Sequence, residues 1–218
     1  YVEKGNLYDG TGGAHRLITN LSDNPAFMGT HNQQNAAAAI AALSALGIEG
    51  DSVAKGLQTF PGLAHRQEQI AIVDGVRFVN DSKATNPVSA ARALSCYDSV
   101  YWIAGGRAKE GGFAALDPVL ERVEKAYLIG TAQAQLAGFL DGRAAVERSE
   151  TLAAAIAAAI RDAAHDARDD AVILLSPACA SFDQFSDFEA RGDAFRDLVA
   201  AHAERRRDGA TASGRQVG

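Results

Sequence analysis

Residues 76–96, VRFVNDSKATNPVSAARALSC, decide the fold class. The preceding QEQIAIV (67–73) and the run VRFVN flank an Asp74-Gly75 pair, the dipeptide of a tight hairpin turn, so both read as strands. The second strand ends in a polar loop, NDSKATN (80–86). Asn86-Pro87 then supplies a cap and a proline suited to the first helical position, and VSAARALSC continues as a helix.

The same alternation runs downstream. VYWIAGG (100–106) is a buried strand, LDPVLERV (116–123) a helix, KAYLIG (125–130) a strand and AQAQLAGFL (132–140) a helix. TLAAAIAAAIRDAAHDA (151–167) is a longer helix, AVILLSP (171–177) a strand and FEARGDAFRDLVAAHAERRR (188–207) the last helix. Apolar strands alternating with helices predict an α/β domain with a Rossmann-like, doubly wound, mostly parallel sheet. Its ligands are expected at the carboxyl ends of the strands.

Upstream the pattern differs. YVEKGNLYD and HRLITNL, separated by TGG, read as a hairpin or two short strands. THNQQN leads into AAAAIAALSALGI, a helix that Thr30 or Asn32 can cap and Gly47 can stop. A second helix runs from Asp51/Ser52 to about Thr59, where Phe60-Pro61-Gly62 breaks it. The expected organisation is therefore 1–63, then 64–204, then a frayed tail over 205–218 whose charge and small residues carry no period.

Of the 218 residues, 47% are hydrophobic and 22% charged, which is enough apolar surface for buried cores. The formal charge of −6 excludes a broad basic field for nucleic acid or an anionic membrane. No apolar run is long enough to span a bilayer, and YVEKGNLYDG lacks the basic start and apolar stretch of a signal peptide. Cys96 and Cys179 have neither metal-ligand spacing nor a disulfide-rich context, so they read as reduced core thiols of a cytoplasmic protein. His31 and His65 lack a nearby ligand partner, and no metal site is expected. A start at Tyr1 is that of a piece of a longer polypeptide.

Polar residues gather directly after the predicted strands. NDSKATN offers Asp81, Lys83 and the hydroxyls of Ser82 and Thr85 just ahead of a helix, an arrangement that suits a carboxylate or a phosphate but equally a solvated capped loop. GGRAKEGG (105–112) combines close-approach glycines with Lys109; it is neither G-x-x-x-x-G-K-[ST] nor G-x-G-x-x-G. SPACASFDQFSDFEARG (176–192) places Ser176 and Ser181 as donors to an anion, with Phe185 and Phe188 as core staples. Asn32 and Asn35 share a helix face, where their amides can read a heterocycle or a ribose or serve only as caps.

GTHNQQN (29–35), GLAHRQE (62–68), NDSKATN, GGRAK and SPACASFDQFxxFExRG, in this order, resemble the Mur ligases of peptidoglycan synthesis, and the likeness spans residues 1–204. Within the family the D-glutamate-adding branch is the most similar. The resemblance implies the end of a central ATP-binding domain over 1–63 and a carboxy-terminal, amino-acid-binding Rossmann-like domain over 64–204. It implies a bacterial, cytoplasmic, monomeric ligase that uses ATP and Mg2+. That ligase joins D-glutamate to UDP-N-acetylmuramoyl-L-alanine through an acyl phosphate.

By resemblance, Asn32 and Asn35 lie near the adenine, and Arg66 and Asp81 contact the nucleotide phosphate and ribose. Lys83 and Thr85 lie beside the amino acid, while Lys109, Thr85, Ser181 and the backbone at Phe188 hold the two carboxylates of D-glutamate. The family's phosphate-binding loop, modified lysine and acidic magnesium ligands are absent from these residues, so no catalytic residue is assigned and the chain alone is expected to be inactive. The alternatives are a related Mur or folylpolyglutamate-type ligase for another amino acid, or a nonenzymatic module binding a nucleotide or an acidic metabolite. A plain dinucleotide-binding domain is disfavoured because no G-x-G-x-x-G follows the first strand.

Overall fold

The structure, a computed structural model, describes residues 1–48 and 50–214, the side chains of 210–214 excepted. The chain divides into two compact units, with the division between Ala64 and His65.

The first unit pairs three antiparallel strands, β1 (Val2–Glu3), β2 (Asn6–Asp9) and β3 (Arg16–Asn20), in sequential order. Two helices accompany them, α1 (Thr30–Ala45) and α2 (Asp51–Gln58). Leu7, Leu21, Phe27, Ala36 and Ile40 form the core between sheet and helix. Asn24 fastens the end of α2: its Nδ2 donates to the carbonyls of Leu57 at 3.0 Å and Phe60 at 2.9 Å, and its Oδ1 accepts the Ala26 amide at 2.9 Å. The expected caps of α1 are not used. The helix starts at Thr30 behind Gly29, whose φ of 83° needs glycine, and no side chain caps it.

The second unit is a six-stranded sheet in the order β4-β5-β9-β6-β7-β8. These are β4 (Glu68–Val73), β5 (Val76–Asn80), β6 (Val100–Gly105), β7 (Val123–Ile129), β8 (Ala145–Glu150) and β9 (Val172–Leu175). Only β4 is antiparallel, joined to β5 by the Asp74-Gly75 turn; the other neighbours are parallel. Between the strands run α3 (Pro87–Leu94), α4 (Gln133–Leu140) and α5 (Leu152–Asp166), and α6 (Phe188–Gly214) closes the described chain. Phe78, Tyr101, Ile103, Tyr127, Ile129, Ile173 and Leu175 pack with α5 and α6. The intervening Val79, Trp102, Ala104, Ala126, Leu128 and Leu174 are also buried and, by the strand pleat, face the opposite side. The sheet is thus covered on both faces, as a parallel sheet must be.

Three local readings are corrected. LDPVLERV folds as part of a 3-10 stretch, Ala114–Arg122, because Pro118 inside it removes an amide that an α-helix would use. AVERSE, unassigned from sequence, is β8: an edge strand with one partly buried face, whose polar residues mask the strand signal. The last helix continues to Gly214, past the residue where charge and glycine suggested fraying; residues 215–218 lie outside the described residues.

Candidate functional site

The carboxyl ends of β5, β9 and β6 lie side by side, and a polar loop follows each. The loop after β5 is set by Asn80, which is fully buried. Its Oδ1 accepts the Ser82 amide at 3.2 Å, and its Nδ2 donates to the Gly192 carbonyl at 3.1 Å, tying the loop to the start of α6. Asp81 follows, 7% exposed, with Oδ1 accepting the Gln67 amide at 3.1 Å and Oδ2 the Ser176 hydroxyl at 2.8 Å. Burial pushes its carboxyl up to about 7, against the opposing pull of those two bonds and the Arg66 charge. At the loop's far end the Asn86 side chain accepts the Ser89 amide at 2.9 Å, the cap expected for α3.

The three loops are cross-stitched. The Gly105 amide donates to Pro177 at 2.9 Å, Arg107 and Ala180 exchange amide-to-carbonyl bonds of 2.8 and 3.0 Å, and the Ala178 amide reaches Ala84 at 3.0 Å. Gly106 makes this approach possible: at φ 126° a Cβ there would lie 2.2 Å from the Ala180 carbonyl oxygen. Through the middle runs Arg191, 1% exposed. Its Nε donates to Ser82 Oγ at 2.9 Å, Nη2 to the Ser82 carbonyl at 2.8 Å and Nη1 to the Cys179 carbonyl at 3.2 Å. Ser82 Oγ in turn donates to the Phe188 carbonyl at 2.8 Å.

On this frame stand the exposed cations. Lys83 Nζ lies 3.7 Å from the centre of the Phe188 ring, a cation–π contact, and Lys109 Nζ lies 3.4 Å from Thr85 Oγ1. Among the described residues neither ammonium has a carboxylate at ion-pair distance, although Lys125, Arg122 and Arg196 in the same unit all do. Two ammonium groups without such a partner, one of them beside the Thr85 hydroxyl, can hold a small molecule bearing two negative groups.

The structure pairs Lys83 with Phe188 and Lys109 with Thr85 by direct contacts, and the Thr85 amide donates to the Lys83 carbonyl at 2.8 Å. Ser181 sits at the same loops but is 2% exposed, and its carbonyl accepts the amides of Gln184 and Phe185. Ser176, expected as an anion donor, is instead fully buried and committed to Asp81. Phe185 packs against the core as expected, whereas Phe188 lies beneath Lys83. Arg66 is exposed, directly before the Gln67 whose amide binds Asp81, and its charge favours the ionised form of that carboxyl. Asn32 and Asn35 belong to the first unit; Asn32 Nδ2 donates to the Met28 carbonyl at 3.0 Å and Asn35 is exposed. Sequence reasoning assigned no role to Arg191 and Asn80; the one signal was their place within the quoted motifs NDSKATN and SPACASFDQFSDFEARG.

Both cysteines are free, and burial raises the thiol pKa of Cys96 to about 11 and of Cys179 to about 12, so neither is a ready nucleophile. Among the described residues no group of three or more His, Cys, Asp or Glu side chains is placed to hold a metal ion. No described helix is long and apolar enough to cross a membrane. A groove of about 520 Å3 opens at the opposite, amino-terminal end of the sheet, beside Phe78, Ile173 and His202. Its rim arginines are already paired, Arg206 with Asp74 and Arg168 with Glu124, which leaves the three loops as the better anion site.

A UDP-N-acetylmuramoylalanine–D-glutamate ligase of Rhodospirillum rubrum is 50% identical over 202 residues, 93% of this chain and 42% of that protein. One of Rhizobium meliloti is 51% identical over 201 residues, 92% of this chain and 43% of that protein. The chain thus spans less than half the length of these curated relatives. Among solved structures, a pseudomurein peptide ligase type C from Methanothermus fervidus superposes with a TM-score of 0.57 at 18% identity, over 92% of this chain and 40% of that one; it supports the fold alone. Residues 65–179, over half of the chain and the segment that carries the loops after β5 and β6, match the Mur ligase glutamate ligase domain, and the chain belongs to the Mur ligase family.

Proposed function

We propose that this chain is part of an ATP-dependent ligase that joins D-glutamate to UDP-N-acetylmuramoyl-L-alanine, and that the loops after β5, β6 and β9 hold the D-glutamate. The observation that carries the reading is the pair of exposed ammonium groups, Lys83 and Lys109, on the loops after β5 and β6, which have no carboxylate at ion-pair distance among the described residues. Relatives at 50% identity that bear the D-glutamate ligase name supply the substrate. On this reading, residues 1–63 are the end of the ATP-binding domain and 64–204 the amino-acid-binding domain.

The chemistry asks for ATP to convert a carboxylate into an acyl phosphate, which the amine of D-glutamate attacks with loss of phosphate. The role of the present residues is to fix the amine donor. Lys109 with Thr85 takes one carboxylate and Lys83 lies beside the amino acid, while Ser181 and the Phe188 backbone border the other carboxylate. Such fixing of a reactant against its partner supplies rate by orientation rather than by covalent chemistry. Asn32, Asn35, Arg66 and Asp81 are proposed to serve the nucleotide. Because Asp81 is buried and occupied by Gln67 and Ser176, its part is to hold the backbone of the loop and the field around Arg66. ATP is a substrate in this reading.

The test is ADP release by the ligase carrying this chain, with D-glutamate, L-glutamate, glycine and a folate acceptor compared. Release that requires D-glutamate supports the proposal. Equal or greater release with glutamate and the folate acceptor supports the folylpolyglutamate-type alternative instead.

A further inference from the structure

The loop that carries Ser181 also carries Asp183, a charged side chain that the proposed reaction does not use. Its Oδ2 accepts the Thr131 amide at 2.7 Å, at the turn that follows β7. Its Oδ1 is buried with no hydrogen-bond partner among the described residues. A buried carboxylate oxygen left unpaired costs stability, so a chain that keeps one at a loop has a use for the other oxygen.

The surroundings are built around that contact. Gly130 stands at φ 69°, and a Cβ there would lie 2.2 Å from Asp183 Oδ2 and 2.8 Å from the Gly106 Cα. Gly106 in turn lies against the Ala180 carbonyl, and a Cβ on it would come within 3.2 Å of Arg191 Nη1. Two glycines, one directly after β6 and one directly after β7, thus pack against each other, with the Asp183 carboxylate beside Gly130 and the Arg191 guanidinium beside Gly106. The two charged groups are not in contact, yet the Asp183 charge helps Arg191 keep its proton against the burial that lowers its pKa to about 10. Thr131 Oγ1 donates to the Gly106 carbonyl at 3.2 Å and Gln184 Nε2 to the Glu150 carbonyl at 2.7 Å, so the same loop is fastened to the ends of β6, β7 and β8.

We infer that Asp183 is a positioning residue for amino-acid binding: by clamping the Thr131 amide it fixes the loop that presents Ser181 beside Lys109, and so sets the carboxylate pocket before substrate arrives. Arg191 holds this loop from the β5 side and Asp183 from the β7 side. Loss of Asp183 lets the segment 179–187 relax away from Thr85 and Lys109, while the nucleotide-side residues Arg66 and Asp81 are untouched.

This inference rests on the proposed D-glutamate reading, and its test has two arms. In the ligase carrying this chain, Asp183→Ala is expected to raise KM for D-glutamate roughly ten-fold while kcat and KM for ATP stay within about three-fold. Asp183→Asn, which keeps an acceptor for the Thr131 amide, recovers most of the loss. In the 218-residue chain itself, with no ligand present, the Thr131 amide exchanges slowly with deuterium, faster in Asp183→Ala, and slowly again in Asp183→Asn. An unchanged KM for D-glutamate in Asp183→Ala, or an equal rise for all three substrates, overturns the positioning role. A wild-type ligase that does not use D-glutamate defeats the substrate reading instead; the exchange of Thr131 then still decides whether the clamp exists, and fast exchange in the wild type overturns it.

Discussion

Arg191 and Ser82, more than a hundred residues apart in the chain, are joined by two bonds: Nε to Oγ at 2.9 Å and Nη2 to the carbonyl oxygen at 2.8 Å. The guanidinium is buried with neutral acceptors rather than a contacting carboxylate, so it is a tie between loops and not half of a salt bridge. Its planar fork reaches two loops at once, which a lysine ammonium cannot match.

Removing that tie should be costly. Arg191→Ala leaves the Ser82 and Cys179 carbonyls unpaired and a cavity behind, and should lower unfolding stability by about 3 kcal/mol or more in urea titration. Arg191→Lys should recover only part of this. A loss below about 1 kcal/mol for the alanine variant would show that the loops hold together without it.

Asp81 makes stability depend on pH in the direction opposite to an ion-paired carboxylate. Its folded pKa of about 7 lies above the ordinary carboxyl value of 3.8, so the folded chain binds a proton more tightly than the unfolded chain. The contribution is fully present below about pH 4 and is lost as pH rises through 7. Thermal unfolding of Asp81→Asn between pH 4 and 8 should show a flatter profile than wild type, with the gain greatest at the alkaline end. Parallel profiles would mean that Asp81 is ionised throughout.

Gly106→Ala tests the packing of the loops after β6 and β9 independently of charge. The added methyl would meet the Ala180 carbonyl at 2.2 Å in a backbone conformation that L side chains rarely adopt. We expect a loss of about 2 kcal/mol or more, whereas Gly138→Ala, in α4 with open space around its Cβ position, should be neutral or stabilising. Similar effects at the two positions would contradict the close approach.

Much of this was readable before the structure. The alternation of apolar runs with helices announces the parallel sheet, and the polar loops after β5, β6 and β9 mark where ligands gather, because both follow from local pattern. What could not be read depends on long-range burial. Arg191 sits in FEARGDAF, where an arginine among Glu and Asp looks solvated; only the third dimension places it under Ser82 and Cys179. Ser176 looked like a free donor because its partner Asp81 lies 95 residues away. AVERSE hid as a strand since an edge position lets polar residues occupy most of it. The D-glutamate assignment came from motif resemblance, since two ammonium groups alone specify a dianion and no particular one.

Lys83 separates binding from folding. It is exposed, its ammonium lies over the Phe188 ring and the hydrogen bond from its amide to the His65 carbonyl survives truncation of the side chain, so Lys83→Ala should change unfolding stability by no more than about 1 kcal/mol. In the ligase carrying this chain the same change should reduce kcat/KM at least about 100-fold, roughly 2.7 kcal/mol of transition-state stabilisation. The 218-residue chain by itself, which contains no G-K-[ST] sequence, should release no ADP above the Lys83→Ala control.

The central claim is that the loops bearing Lys83, Thr85, Lys109 and Ser181 bind the amino-acid substrate. It is tested most directly by the KM for D-glutamate of the ligase carrying this chain, measured for wild type and Lys109→Ala by ADP release at saturating ATP. The account predicts a rise of about 100-fold in that KM with the KM for ATP within about three-fold of wild type. An unmoved KM for D-glutamate, or a rise confined to ATP, would contradict it.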